Sequence, residues 1–222
     1  MDFNNINIKE ENILEDFNAM YNNVKDKSLI EVNIEDLKNN AVLITIDMIN
    51  GFAREGALYS KNTENTIKNI VSLAKTFELK ELPIITYNDA HTASSPEFRS
   101  FPQHALKGSM ESELIDELKE IKNIKIVNKN STNGFLVENP FESLNKKYDN
   151  FIVVGCCTDL CIYQFALTLK AYFNEINHNG RVILPINTLS TFDMPGHNSD
   201  ITNIIFLNSL MNNGIEVVGL IK

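Results

Sequence analysis

From residue 41 onward the chain alternates short β-rich apolar runs with stretches of helical periodicity, and this alternation constrains the fold more than any other feature. Six runs read as strands: 41–47, 83–87, 124–128, 151–155, 181–184 and 215–219. Between them lie helical patterns at 64–80, 111–121, 142–148, 159–177 and 198–212. The runs Ala-Val-Leu-Ile-Thr-Ile and Phe-Ile-Val-Val are apolar at consecutive positions, as in strands of a parallel sheet covered on both faces. Strand–helix alternation with short connections builds a layered α/β domain through right-handed crossovers. Ligands of such sheets bind beyond the carboxyl ends of the strands, near the point where strand order reverses.

Composition narrows the class. A chain of 222 residues, 43% hydrophobic and 22% charged, suits one soluble domain with a well-buried core. The net charge of −9 argues against nucleic acid or an anionic membrane surface as partner. No apolar run reaches the roughly 18–20 residues of a membrane span, and Met1-Asp2-Phe3-Asn4-Asn5 begins no targeting signal. Residues 1–40 hold nine acids and four lysines, hence −5 of the −9. There Ile13, Leu14, Phe17, Met20, Tyr21 and Val24 recur at helical spacing, predicting an amphipathic N-terminal extension outside the domain at 41–222. It packs across that domain or offers an interface for a homo-oligomer. Three cysteines, two of them adjacent, make no disulfide framework and fit a reduced, cytoplasmic setting.

Four of the six strand ends carry residues with chemical potential. The first leads into Asp47-Met48-Ile49-Asn50-Gly51-Phe52. A partly desolvated carboxylate there suits a general base, though an Asp at that position also serves turns. Lys129 follows the third strand and, if it projects into the crevice, favours a nearby anion; most lysines are solvated surface. The fourth runs through Gly155-Cys156-Cys157-Thr158-Asp159-Leu160-Cys161 into a helix. With Thr158 or Asp159 as cap, Cys161 falls in the first turn, where free N–H groups lower a thiol's pKa. A buried structural cysteine is the competing reading. Cys157 and Cys161 do not make a Cys-x-x-Cys pair.

The second strand leads into Asp89 and His91, two apart on extended chain and so on one side, followed by Glu97, Phe101 and His104. Two of the four histidines fall in this sixteen-residue window. Two imidazoles with carboxylates suit Zn(II), Fe(II) or Mn(II). His178 lies near a helix end, where a cation suits the dipole, and His197 receives no role.

Taken together, these motifs resemble the isochorismatase-like cysteine hydrolases, nearest their nicotinamidase branch, from residue 41 to the C-terminus. Asp47-Met-Ile-Asn-Gly-Phe52 looks like the family's Asp-x-Gln-Asn-Asp-Phe loop, with Ile49 and Gly51 as departures. Lys129 followed by Phe135 looks like its lysine loop, with Thr132 where an aromatic is frequent. Gly155-Cys-Cys-Thr-Asp-Leu-Cys161 is similar to its Gly-Val-Ala-Thr-Asp-Tyr-Cys elbow. The resemblance implies a three-layer sandwich with a six-stranded, mostly parallel sheet in the order 3-2-1-4-5-6. It implies the triad Asp47, Lys129 and Cys161, an oxyanion hole from the N–H groups of Cys157 and Cys161, and a cis peptide between Cys156 and Cys157. It further implies one divalent metal, Zn before Fe or Mn, on Asp89, His91, Glu97 and His104, with Phe52 and Phe101 stacking on a pyridine ring. The expected reaction is hydrolysis of nicotinamide through a cysteine thioester. The alternatives are a related hydrolase of another small amide, or a silent member acting as a binding or scaffold protein.

Overall fold

The computed structural model describes residues 9–222. Its main sheet contains β1 (Ala41–Ile46), β2 (Ile84–Asp89), β3 (Ile124–Lys129), β4 (Asn150–Cys156), β5 (Arg181–Pro185) and β6 (Glu216–Val218). The spatial order is β3-β2-β1-β4-β5-β6, every pair parallel. The order reverses between β1 and β4, so the crevice expected of a doubly wound sheet opens there. The long helices are α1 (Glu10–Ser28), α2 (Lys61–Leu79), α3 (Cys161–Glu175) and α4 (Ser199–Asn212).

Side-chain alternation makes three layers from this sheet. Val42, Ile44 and Ile46 of β1 pack with Ile162, Phe165, Leu169 and Phe173 of α3. Ala41 and Leu43 turn to the other face, against Ile70, Leu73 and Phe77 of α2. Both faces of β1, β2 and β4 are therefore buried, while the edge strand β3 exposes Lys125 and Ile126.

The sheet has seven strands rather than six. Beyond Ile152 the partner of β4 changes, because β5 ends at Pro185 and the chain turns through Ile186–Thr188. The chain then returns as Leu189–Ser190 to pair with Gly155 and Cys156. The helix expected at 111–121 is also broken. Met110–Ser112 and Asp116–Lys119 are single turns, and residues 113–115 are drawn into extended pairing with the chain after β1. Leu114 bridges Ile49, Asn50 N–H donates to Glu113 O, and Ile115 N–H donates to Met48 O. This tertiary pairing outweighs the local helical pattern. The helix expected at 142–148 lies at Pro140–Ser143, started by Asn139 and Pro140 and ended by Asn145 and Lys146 in left-handed conformation.

The N-terminal segment is tied to the domain. Val24 of α1 is buried and Asn23 donates to Asn208 of α4 at 2.9 Å, while Ile13 and Leu14 are exposed. Glu31–Val32 pairs in parallel with Leu220–Ile221, and Ile34 and Leu37 enter the core beside α2. No helix among the described residues is long and apolar enough to cross a membrane.

Candidate active site

Parallel register brings the expected groups to one end of the sheet. Asp89 and Lys129, the last residues of β2 and β3, are direct register partners. Asp47 follows β1 in left-handed conformation (φ 55°), which Asp tolerates better than most residues. Its N–H donates to Tyr87 O at 2.9 Å, and its Oδ1 accepts from Asp89 N–H at 2.8 Å. Gly155 lies against the end of β1: at φ 118° a Cβ would stand 2.0 Å from Ile46 O, so only glycine lets the elbow approach.

Lys129 is the hub. Its Nζ lies 2.9 Å from Asp47 Oδ2, pairs with Asp89 Oδ1, and lies 3.7 Å from Cys161 Sγ. The side chain is fully buried, which is tolerable because two carboxylates satisfy the ammonium. Burial opposes the charge, but Asp47, Asp89 and Cys161 together hold Lys129 protonated well above its ordinary range. Burial, then Asp89, raise Asp47 to about 6 against the pull of Lys129. Asp89 stays below the usual carboxylate range: burial favours its neutral form, but Lys129, His104 and His91 outweigh this.

Cys161 opens α3, as expected, but neither Thr158 nor Asp159 caps that helix. Thr158 N–H donates to Ser190 O, and the Asp159 carboxylate is engaged by Thr191 and His197. Nor is the thiol activated at rest. Burial pushes it well above its ordinary range; Lys129 opposes this, and the two carboxylates reinforce it. Position at a helix start is readable from sequence; desolvation is not. Cys161 thus rests as a thiol, with the Asp47 carboxylate and the Lys129 ammonium beside it. The Cys156–Cys157 peptide is cis. Among the described residues, the N–H groups of Cys157 and Cys161 donate to no protein acceptor.

A second cluster adjoins the first. His91 N–H donates to Ala105 O and Lys107 N–H to His91 O, and this pairing carries His104 back beside His91. The two rings are 4.8 Å apart. Asp89 Oδ1 is 3.4 Å from His91 Nε2, and Oδ2 is 3.9 Å from His104 Nε2. His104 Nδ1 donates to Pro102 O at 2.8 Å, which orients the ring with Nε2 facing the carboxylate. Both ring nitrogens of the buried His91 lack hydrogen-bond partners. The unsatisfied His91 imidazole and the His104 ring converging on a carboxylate fit a divalent cation, and Asp89, His91 and His104 form a group able to hold one. Glu97 stands at the rim, Oε2 3.7 Å from His91 and Oε1 fixed by Thr132 N–H and hydroxyl. Asp47, Asp89 and Cys161 also converge, but Lys129 already supplies the cation among them.

Both clusters open into one cavity of about 380 Å³. Phe52 and Phe101 line it, 5.6 and 6.3 Å from the His104 ring. Phe192, Asp193 and Met194 line it too, and sequence reasoning missed them. Their available signal was Met194-Pro195-Gly196-His197, a turn sequence following a short apolar run.

A family model described as the isochorismatase domain matches residues 41–208. Nicotinamidase 1 of Arabidopsis thaliana is 26% identical over 174 residues, 70% of this chain and 71% of the relative. The structure of nicotinamidase PncA from Bacillus subtilis aligns with TM-score 0.68 at 24% identity, covering 81% of this chain and 99% of that one. N-carbamoylsarcosine amidase from Thermoplasma acidophilum aligns with TM-score 0.68 at 23% identity, over 81% and 95%. Pyrazinamidase of Pyrococcus horikoshii, solved in complex with zinc, gives 0.65 at 19%, over 81% and 98%. With the fold and strand-end residues already in place, the match over residues 41–208 fixes the assignment: the chain belongs to the isochorismatase family of hydrolases.

Proposed function

We propose that this protein is a nicotinamidase, hydrolysing nicotinamide to nicotinate and ammonia, with pyrazinamide as a second substrate and NAD salvage as the use of the product. The observation that carries the reading is Lys129 Nζ set between Asp47 (2.9 Å) and Cys161 Sγ (3.7 Å), beside the cavity that Asp47, Cys161, Asp89 and His104 line. The nicotinamidase relative supports the choice of amide.

Asp47 takes the Cys161 proton as Sγ attacks the carboxamide carbon, and Lys129 offsets the negative charge passing between them. The free N–H groups of Cys157 and Cys161 receive the developing oxyanion; one such donor is worth roughly 3–4 kcal/mol where it has been removed. Asp47 returns the proton to the amide nitrogen, the C–N bond breaks and ammonia leaves, giving the thioester. Asp47 next takes a proton from water, hydroxide adds to the thioester carbon, and the C–S bond breaks. The sulfur recovers its proton and the acid is released. Phe52 and Phe101 stack on the ring. Asp89, His91 and His104, with Glu97 at the rim, would hold one Zn, Fe or Mn ion, a Lewis acid able to take a pyridine nitrogen.

The test is ammonia release from nicotinamide by purified, metal-replete protein, with Cys161→Ala in parallel. Turnover lost in the variant supports the reading; no turnover by the wild type overturns it. The equal fold match to N-carbamoylsarcosine amidase favours, as the second reading, a different small amide at the same triad. Ammonia released from N-carbamoylsarcosine and not from nicotinamide would select it.

A further inference from the structure

The wall of the cavity beside the elbow has a construction of its own. After Leu189–Ser190 the chain forms a strap, residues 191–199, running along the nucleophile elbow. Met194 and His197 exchange backbone hydrogen bonds of 3.0 and 2.9 Å, closing a turn in which Gly196 has φ 81°. Proline followed by a left-handed glycine is the preferred composition of such a turn. Asp193 fastens the strap: its carboxylate accepts from Ser199 N–H at 2.8 Å, the Ser199 hydroxyl at 3.0 Å and the Asn62 amide at 2.8 Å.

His197 joins this strap to the elbow. Its Nε2 is 2.8 Å from Asp159 Oδ2, and its Nδ1 is 2.9 Å from the Phe192 carbonyl. Asp159 lies two residues before the nucleophile, and its other oxygen accepts the Thr191 hydroxyl at 2.5 Å. A carboxylate and a carbonyl are both acceptors, so both ring nitrogens must carry protons and His197 is an imidazolium. The imidazolium stacks flat on Phe192, centroids 4.1 Å apart and planes 7° from parallel, a cation over an aromatic face. Burial opposes the charge, but the Asp159 carboxylate and the Phe192 carbonyl raise His197 above the usual histidine range. Asp193 is the other charged group facing it.

Phe192 is thus held through both its ring and its carbonyl by one side chain anchored on the elbow. Its ring lines the cavity from the strap, whereas Phe52 and Phe101 line it from the side of His104. At about 380 Å³ the cavity is at the small end of ligand sites, which run from about 300 to 1,000 Å³. We propose that His197 is a positioning residue that holds Phe192 as a specificity-determining wall, admitting single-ring carboxamides and rejecting fused-ring ones.

This inference rests on the amide-hydrolase reading, and two measurements separate their failures. The first is ring-nitrogen NMR on the wild-type protein at pH 7, with His197 assigned by its absence from His197→Gln. Two proton-bearing nitrogens are expected; a neutral single tautomer overturns the proposal whether or not the protein hydrolyses amides. The second is steady-state kinetics with nicotinamide and quinoline-3-carboxamide, each variant first shown folded by thermal melting. Phe192→Ala is expected to raise KM for nicotinamide about tenfold with kcat little changed, and to narrow discrimination against the bicyclic amide. His197→Gln should copy that pattern, and His197→Arg, whose planar cation can donate twice and stack, should recover most of the discrimination. Unchanged discrimination in Phe192→Ala and in His197→Gln, or equal loss of kcat for both amides, overturns the proposal. If His197→Gln fails to fold, the resonances missing from His197→Arg supply the assignment, and Phe192→Leu and the NMR measurement still decide it.

Discussion

The two halves of the site are built on opposite principles. The Asp47–Lys129–Cys161 half sits on adjacent strand ends locked in parallel register, and it carries its own cation as a buried lysine. The Asp89–His91–His104 half depends on a long loop returning along residues 90–92, and it leaves imidazole nitrogens unsatisfied. One half is supplied with its cation by the sequence itself; the other groups side chains able to take an ion from outside. Asp89 belongs to both, paired with Lys129 through Oδ1 and facing His104 through Oδ2.

The two halves are separated most forcefully at Cys161. Cys161→Ala should lower amide turnover by about a millionfold, the scale for losing a covalent nucleophile. Metal content, read by elemental analysis, should remain that of the wild type; parallel loss of metal would show the halves to be one unit. Lys129→Met comes next. It strands Asp47 and Asp89 without their buried counter-charge and should cost about 3–5 kcal/mol in chemical denaturation. A stability within 1 kcal/mol of wild type would contradict that account. His91→Ala should weaken metal binding by about a hundredfold or more, while alkylation of Cys161 by iodoacetamide continues near the wild-type rate. A large drop in alkylation would tie the thiol to the metal loop. The smallest effect is expected outside both halves. Asn139→Ala removes the cap that accepts from Phe141 and Glu142 N–H and should cost about 1 kcal/mol, with metal content and turnover unchanged.

The legibility of the two halves differed as well. Consecutive apolar positions in β1 and β4 announced a sheet buried on both faces, and its carboxyl ends pointed to Asp47, Lys129 and Cys161. Asp89 and His91 were paired by their spacing, but the hydrogen bonds between His91 and residues 105 and 107 that bring His104 alongside are tertiary. The same kind of pairing undid the helix expected at 111–121, where Leu114 bridges Ile49. Cys161 was correctly placed at a helix start, yet the direction of its pKa depends on burial that local sequence does not encode. Residue type suits either Thr158 or Asp159 to cap that helix, but the actual partners of the Asp159 carboxylate, Thr191 and His197, lie 32 and 38 positions away.

The pairing of Glu31–Val32 with Leu220–Ile221 carries a consequence for biogenesis. Lys222 reaches back to Glu31 across 191 positions. At ordinary rates of synthesis, about 5–20 residues per second, residues 31–32 wait about 10–40 s for their partners. The hydrogen bonds from Ile34 N–H to Lys222 O and from Gly219 N–H to Ile30 O must wait with them. The nascent chain therefore holds residues 31–32 unpaired beside two core residues, Ile34 and Leu37, until that later segment has emerged.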